Sequence, residues 1–110
     1  MVAKEDAQNL LMQAQAYQQQ LQMVSGQKEA LSMQMIEIGK ALEELNKPGS
    51  GELYKISGPI LIKTSNNDAK KDLESKKELS MVRIKSVEKT EVDLKEKLEE
   101  LKDKLSKAGV

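Results

Sequence analysis

ELYKISGPILIKT, Glu52 to Thr64, is the stretch whose reading decides the fold: two short, isoleucine-rich runs either side of Gly58 and Pro59. Glycine at the first position of a two-residue turn accepts the positive φ that a type II′ turn requires. Proline at the second supplies a fixed φ of about −65° that suits it. The stretch therefore reads as a β-hairpin over 52–64. Strict alternation predicts one face with Tyr54, Ile56, Ile60 and Ile62 and another with Leu53, Lys55, Leu61 and Lys63. A lone two-stranded hairpin is marginal in water, with two edges of unpaired amides. Apolar residues on both faces predict that it pairs edge to edge with others, so the functional unit is an oligomer built through the hairpin. The competing reading is a decorative loop on a monomeric coiled coil.

Outward from the hairpin, NKPGSG at 46–51 ends a long helical stretch, because proline lacks the amide the next turn needs and the glycines let the chain reverse. Upstream, steps of four and three residues run through Ala3, Ala7, Leu10, Ala14, Tyr17, Leu21, Val24, Lys28, Leu31, Met35, Ile38, Leu42 and Leu45, and only Lys28 is not apolar. A 3.5-residue repeat kept up over more than five heptads marks a seam facing a partner helix. Downstream, Ser65, Asn66, Asn67 and Asp68 offer capping oxygens. The same spacing then gives Leu73, Lys77, Ser80, Ile84, Val87, Glu91, Leu94, Leu98, Leu101, Leu105 and Ala108. Glu91 to Lys95, Asp93 to Lys97 and Glu100 to Lys104 are acid-first pairs that support a helix surface and make no site.

The reading is one domain over 1–110: helix 4–46, linker 47–51, β-hairpin 52–64 and helix 67–107. Its fold class is mainly α, two long helices in an antiparallel coiled coil joined by the hairpin. A register with Leu45 across from about Lys70 places Leu10 beside Leu105, so the chain ends share one tip, and Lys28 falls near Glu88 or Glu91, where a polar seam residue fixes alignment. The same register predicts an extra apolar patch from Met33, Ile36, Leu79 and Val82, packed against a neighbouring subunit or the connector.

Composition narrows the function. The 110 residues contain no Cys, His, Trp or Phe, and only Tyr17 and Tyr54 are aromatic. That excludes thiol and histidine catalysis, disulfides and cysteine or histidine metal sites. Eighteen basic residues balance eighteen acidic ones, leaving no net field to gather nucleic acid or an anionic membrane. GSGELYK lacks the G-x-x-x-x-G-K-[ST] spacing that cradles phosphate. No apolar run spans a bilayer and the first residues have no signal-peptide core, so a soluble, cytoplasmic protein is expected. Exposed helix faces offer their carboxylates no cleft for acid–base work, so no enzyme and no cofactor is expected.

YQQQLQMVSGQKEAL at 17–31, ALEELNK at 41–47 and above all YKISGPILIKT at 54–64, set between two heptad arms, resemble a β-type prefoldin subunit of the archaeal kind. One hairpin rather than two also matches the β-type. The resemblance implies an ATP-independent holdase, a hexamer of two α-type and four β-type subunits whose hairpins form a β-barrel platform. Its coiled-coil tips would bind unfolded polypeptides and pass them to a group II chaperonin. Carried onto this chain, it implies assembly positions at Leu53, Tyr54, Ile56, Ile60, Leu61 and Ile62, and polypeptide-binding positions at Leu10, Leu11, Ala14, Leu101 and Leu105. Met12 adds a flexible, polarisable side chain of the sort that suits promiscuous binding. Eight of the nine glutamines lie at 8–27; they read as a neutral, solvated helix face, and the functional alternative is a weakly charged arm that repels neither acidic nor basic clients. The alternative is a scaffolding coiled coil that binds no unfolded chains.

Overall fold

The computed structural model describes residues 4–49 and 51–107. Helix α1 spans Lys4–Asn46, strands β1 and β2 span Leu53–Ser57 and Ile60–Thr64, and helix α2 spans Asn66–Lys107. Two compact units divide the chain: one of residues 1–30 and 85–110, the other of 31–84. The seam positions Ala3 and Ala108 and linker residue Ser50 lie outside the described residues.

Burial follows the 3.5-residue repeat along α1. Every described seam position from Ala7 to Leu45 is at least partly buried, and Ile38 fully so, whereas nearly all the residues between them are exposed. On α2 the buried hydrophobic residues of the seam are Leu94, Leu98, Leu101 and Leu105. Ser80 is the one buried polar residue among those described, and no buried side-chain polar atom there lacks a hydrogen-bond partner. Lys77 departs from the expected seam: it is exposed, and α2 instead turns Asn66, Ala69, Lys70, Asp72 and Leu73 inward near the hairpin. A lysine head keeps its hydration by leaving the seam.

The helix ends are closed by side chains from the connector. Ser65 caps α2: its Oγ accepts from the Asp68 amide at 3.1 Å, and its carbonyl accepts from the Ala69 amide at 2.9 Å. Asn66 Nδ2 donates to the Leu45 carbonyl at 3.0 Å, giving a partner to one of the carbonyls that α1 leaves unpaired at its end. Gly49, with φ 81°, adopts the left-handed conformation that lets the chain turn away from α1. Replacing Ser65 with alanine should cost about 1 kcal/mol in a denaturant titration, while Ser65→Asp, which restores an acceptor, should cost far less.

The hairpin pairs Leu53 with Thr64, Tyr54 with Lys63, Lys55 with Ile62, Ile56 with Leu61 and Ser57 with Ile60, and Gly58 takes φ 59° at the turn. Directly opposed residues share a face of the sheet. The faces are therefore Tyr54, Ile56, Leu61 and Lys63 on one side and Leu53, Lys55, Ile60 and Ile62 on the other. This corrects the expected division, which grouped Ile60 and Ile62 with Tyr54 and Ile56. A two-residue turn sets each even-numbered residue of β1 opposite an odd-numbered residue of β2, so parity does not carry across it.

Candidate functional site

Two surfaces are candidates for function: the hairpin, and the helical surface of the unit of residues 1–30 and 85–110. On the hairpin, Tyr54, Ile56, Ile60, Leu61 and Ile62 are all exposed, and Ile56 leaves 77% of its surface in water. Leu53 is half-buried at the foot of β1. The two strands form a sheet of their own, so among the described residues each has one edge with no β-partner. Both corrected faces thus carry a pair of large aliphatic side chains, Ile56 with Leu61 and Ile60 with Ile62. Aliphatic surface of this kind on an open-edged hairpin is marginal in water and a ready template for strand pairing.

Polar contacts fix the foot of the hairpin on each face. On the first, Tyr54 donates its hydroxyl proton to Glu52 at 2.6 Å, and Lys63 lies 3.5 Å from the other oxygen of that carboxylate. The nearby negative charge holds the tyrosine proton and raises its pKa above the usual value. On the second face, Lys55 reaches Asp72 of α2 at 2.7 Å, beside an apolar groove that includes Leu45, Leu53, Ala69 and Leu73. That hydrogen bond, with the lysine charge behind it, holds the Asp72 carboxyl below the usual aspartate range.

The sign of the second effect is definite. A carboxyl whose pKa is lowered by folding contributes stability above its unfolded pKa and loses that contribution as pH falls through the lowered folded value. Acid should therefore loosen the hold of the hairpin on α2. In a carbon-detected NMR titration, Asp72 is expected to protonate at lower pH than an ordinary aspartate. Lys55→Ala should return it towards the ordinary value. The two side chains are about half exposed, so the effect on global stability is small.

In the unit of residues 1–30 and 85–110, the polar break in the α1 seam meets its counterpart. Lys28 Nζ lies 3.6 Å from Glu91, which is also 3.7 Å from Lys95, and the Glu91 side chain is only 17% exposed. The expected partner of Lys28 is thus Glu91 rather than Glu88. Of the three acid-first pairs expected on α2, only Glu91 with Lys95 closes to ion-pair distance among the described residues.

The expected polypeptide-binding positions divide between core and surface. Leu101 and Leu105 are 6% and 8% exposed and belong to the seam, and Leu10 and Ala14 are partly buried in it. Leu11 is exposed, as are Met12, which the sequence reading sets beside it, and Met23, which that reading does not single out. Their signal in the sequence was their position off the seam in a stretch without charge. In the unit of residues 31–84, Met33, Ile36, Leu79 and Val82 are all at least half exposed. They do not make one patch. By heptad position Ile36 and Leu79 lie on opposite flanks of the seam, and of the four only Leu79 lines the groove beside Ile38, Ala41 and Ser80. Among the described residues no helix is long and apolar enough to cross a membrane.

Comparison with known proteins agrees with this architecture. A family model described as prefoldin subunit matches residues 8–109. The prefoldin subunit beta of Thermococcus onnurineus is 40% identical over 102 residues, covering 92% of this chain and 88% of that protein. That of Archaeoglobus fulgidus is 39% identical over 99 residues, covering 89% and 85%. The crystal structure of the prefoldin beta subunit from Thermococcus strain KS-1 superposes with a TM-score of 0.83 at 36% identity, covering 94% of this chain and 91% of that one. Its beta2 counterpart, at 20% identity and a TM-score of 0.75, shares the fold. With arm, hairpin and arm matched in order along almost the whole chain, this protein belongs to the prefoldin subunit family.

Proposed function

We propose that the chain is the β-type subunit of an ATP-independent holdase, a hexamer of two α-type and four β-type subunits joined through their hairpins. Its coiled-coil tips bind non-native polypeptides and pass them to a group II chaperonin. The observation that supports the reading is the hairpin, whose two exposed aliphatic faces and open edges suit cover by neighbouring subunits. Leu53, Tyr54, Ile56, Ile60, Leu61 and Ile62 are its assembly residues. Binding at the tip draws on Leu11, exposed in the folded arm, and on Leu10, Ala14, Leu101 and Leu105, which become available as the last turns open. Each contact is weak, and several arms on one client combine them through high effective concentration. No step calls on a cofactor or on catalysis.

The test is direct. The purified chain is mixed with an α-type prefoldin subunit and a chemically unfolded client, and light scattering is followed without ATP. Suppressed aggregation by the mixture, followed by recovery of native client when a group II chaperonin and ATP are added, is the expected result. Assembly without any effect on scattering would leave the chain a scaffolding coiled coil.

A further inference from the structure

Within the unit of residues 1–30 and 85–110, the two helices differ sharply in charge. Ala7 to Gln27 of α1 is a run of 21 residues without one charged side chain, whereas 14 of the 23 residues from Lys85 to Lys107 of α2 are charged. The seam accounts for only Ala7, Leu10, Ala14, Tyr17, Leu21 and Val24 of the uncharged run. The remainder faces water: Leu11, Met12 and Met23 are 41%, 68% and 64% exposed, and all eight glutamines are exposed. Met12, Gln15, Gln19 and Gln22 recur at steps of three and four, so they form a second stripe, set away from the seam, with Met23 beside it.

Folding does not explain this stripe. A solvated helix face gains a few tenths of a kcal/mol from each acid–base pair four residues apart, and α1 forgoes all of them over these turns. What an uncharged face offers is cheap contact. A chain settling on α2 must strip water from ammonium and carboxylate groups, while on α1 it displaces water only from amides and thioethers. Glutamine amides donate to and accept from the peptide groups of an extended chain. Methionine side chains adapt to apolar groups of any shape.

We propose that the outer stripe of α1, Leu11, Met12, Gln15, Gln19, Gln22 and Met23, is the surface that takes extended, apolar segments of non-native polypeptide irrespective of their charge. The inference rests on the holdase reading above and adds to it the helix, the face and the lack of charge selection.

The test uses the assembled complex with its α-type partner and two chemically unfolded clients, one of net negative and one of net positive charge, with light scattering read without ATP. One variant carries Gln15→Glu, Gln19→Glu and Gln22→Glu. A second carries Lys89→Gln, Lys97→Gln and Lys102→Gln, which shifts the net charge of the subunit equally but on exposed positions of α2. The α1 variant should need about fivefold more complex to hold the acidic client and no more than the unsubstituted protein for the basic one, with the defect fading at high salt. The α2 variant should change either client by less than about twofold.

Equal effects of the two variants, equal loss of both clients, or no effect at all would overturn the assignment. A changed native mass of the α1 variant complex would show the stripe to be a contact between subunits, and would overturn it too. If the unsubstituted complex holds neither client, the holdase reading itself fails and the stripe falls with it.

Discussion

Replacing Ile56 with aspartate should abolish assembly through the hairpin while leaving a folded, helical chain. In the single chain Ile56 is 77% exposed, opposite Leu61 on one face of the sheet. A charge there meets water and disturbs little. Once a neighbouring hairpin covers that face, the balance reverses. Losing the burial of one isoleucine removes about 1.5–3 kcal/mol per contact, or about tenfold to a hundredfold in affinity, and the buried carboxylate adds the cost of its own desolvation. Native mass spectrometry of the variant mixed with an α-type subunit should show dissociated chains with unchanged far-ultraviolet circular dichroism. Ile56→Val, which keeps most of the apolar surface, should assemble. A full complex formed by Ile56→Asp would place the subunit contact elsewhere.

Leu98→Ala should have the largest effect on the stability of the chain. Leu98 is 8% exposed and stands in the row of buried leucines of α2, Leu94, Leu98, Leu101 and Leu105. The small seam residues Ala7 and Ala14 of α1 lie in the same unit, so leucines of α2 supply much of the core there. Truncating one leaves a cavity that the helices cannot fully close, at a cost of roughly 2–4 kcal/mol in a denaturant titration. Leu11→Ala, off the seam and 41% exposed, should cost less than about 0.5 kcal/mol. Equal losses from the two substitutions would remove the basis for separating core from binding surface.

The helices were legible because one geometric fact, a seam every 3.5 residues, is written repeatedly in the sequence. Burial at Ala7, Leu10, Ala14, Tyr17 and Leu21 follows it residue by residue. The faces of the hairpin were not legible by the same route. Alternation is a property of one strand, and the relation between two strands is set by the length of the turn, so spacing alone identifies β2 as a strand but assigns its residues to the wrong face. Lys77 and Ser80 show a second limit. Spacing assigns both to the seam, but the lysine can swing its head into water whereas the serine is small enough to stay buried. In the unit of residues 1–30 and 85–110, heptad spacing picks out Leu101 and Leu105, which lie in the core, while the exposed Met23 is visible only to a reading that asks which apolar residues the seam leaves out.

The hydrogen bond from Asn66 to the Leu45 carbonyl joins residues 21 apart in the chain, whereas every α1–α2 contact in the unit of residues 1–30 and 85–110 joins residues at least 55 apart. Closing the longer loop first costs about 0.9 kcal/mol more in chain entropy, whereas once the connector has closed each further turn costs little. The two helices should therefore zip from the connector towards the chain ends. Truncations near Ile38 and Leu73 should then slow folding, whereas those near Leu101 and Leu105 should mainly hasten unfolding. A nascent chain, with α1 complete before α2 exists, leaves its own seam unsheltered for that interval, a row of apolar side chains with no partner helix yet made.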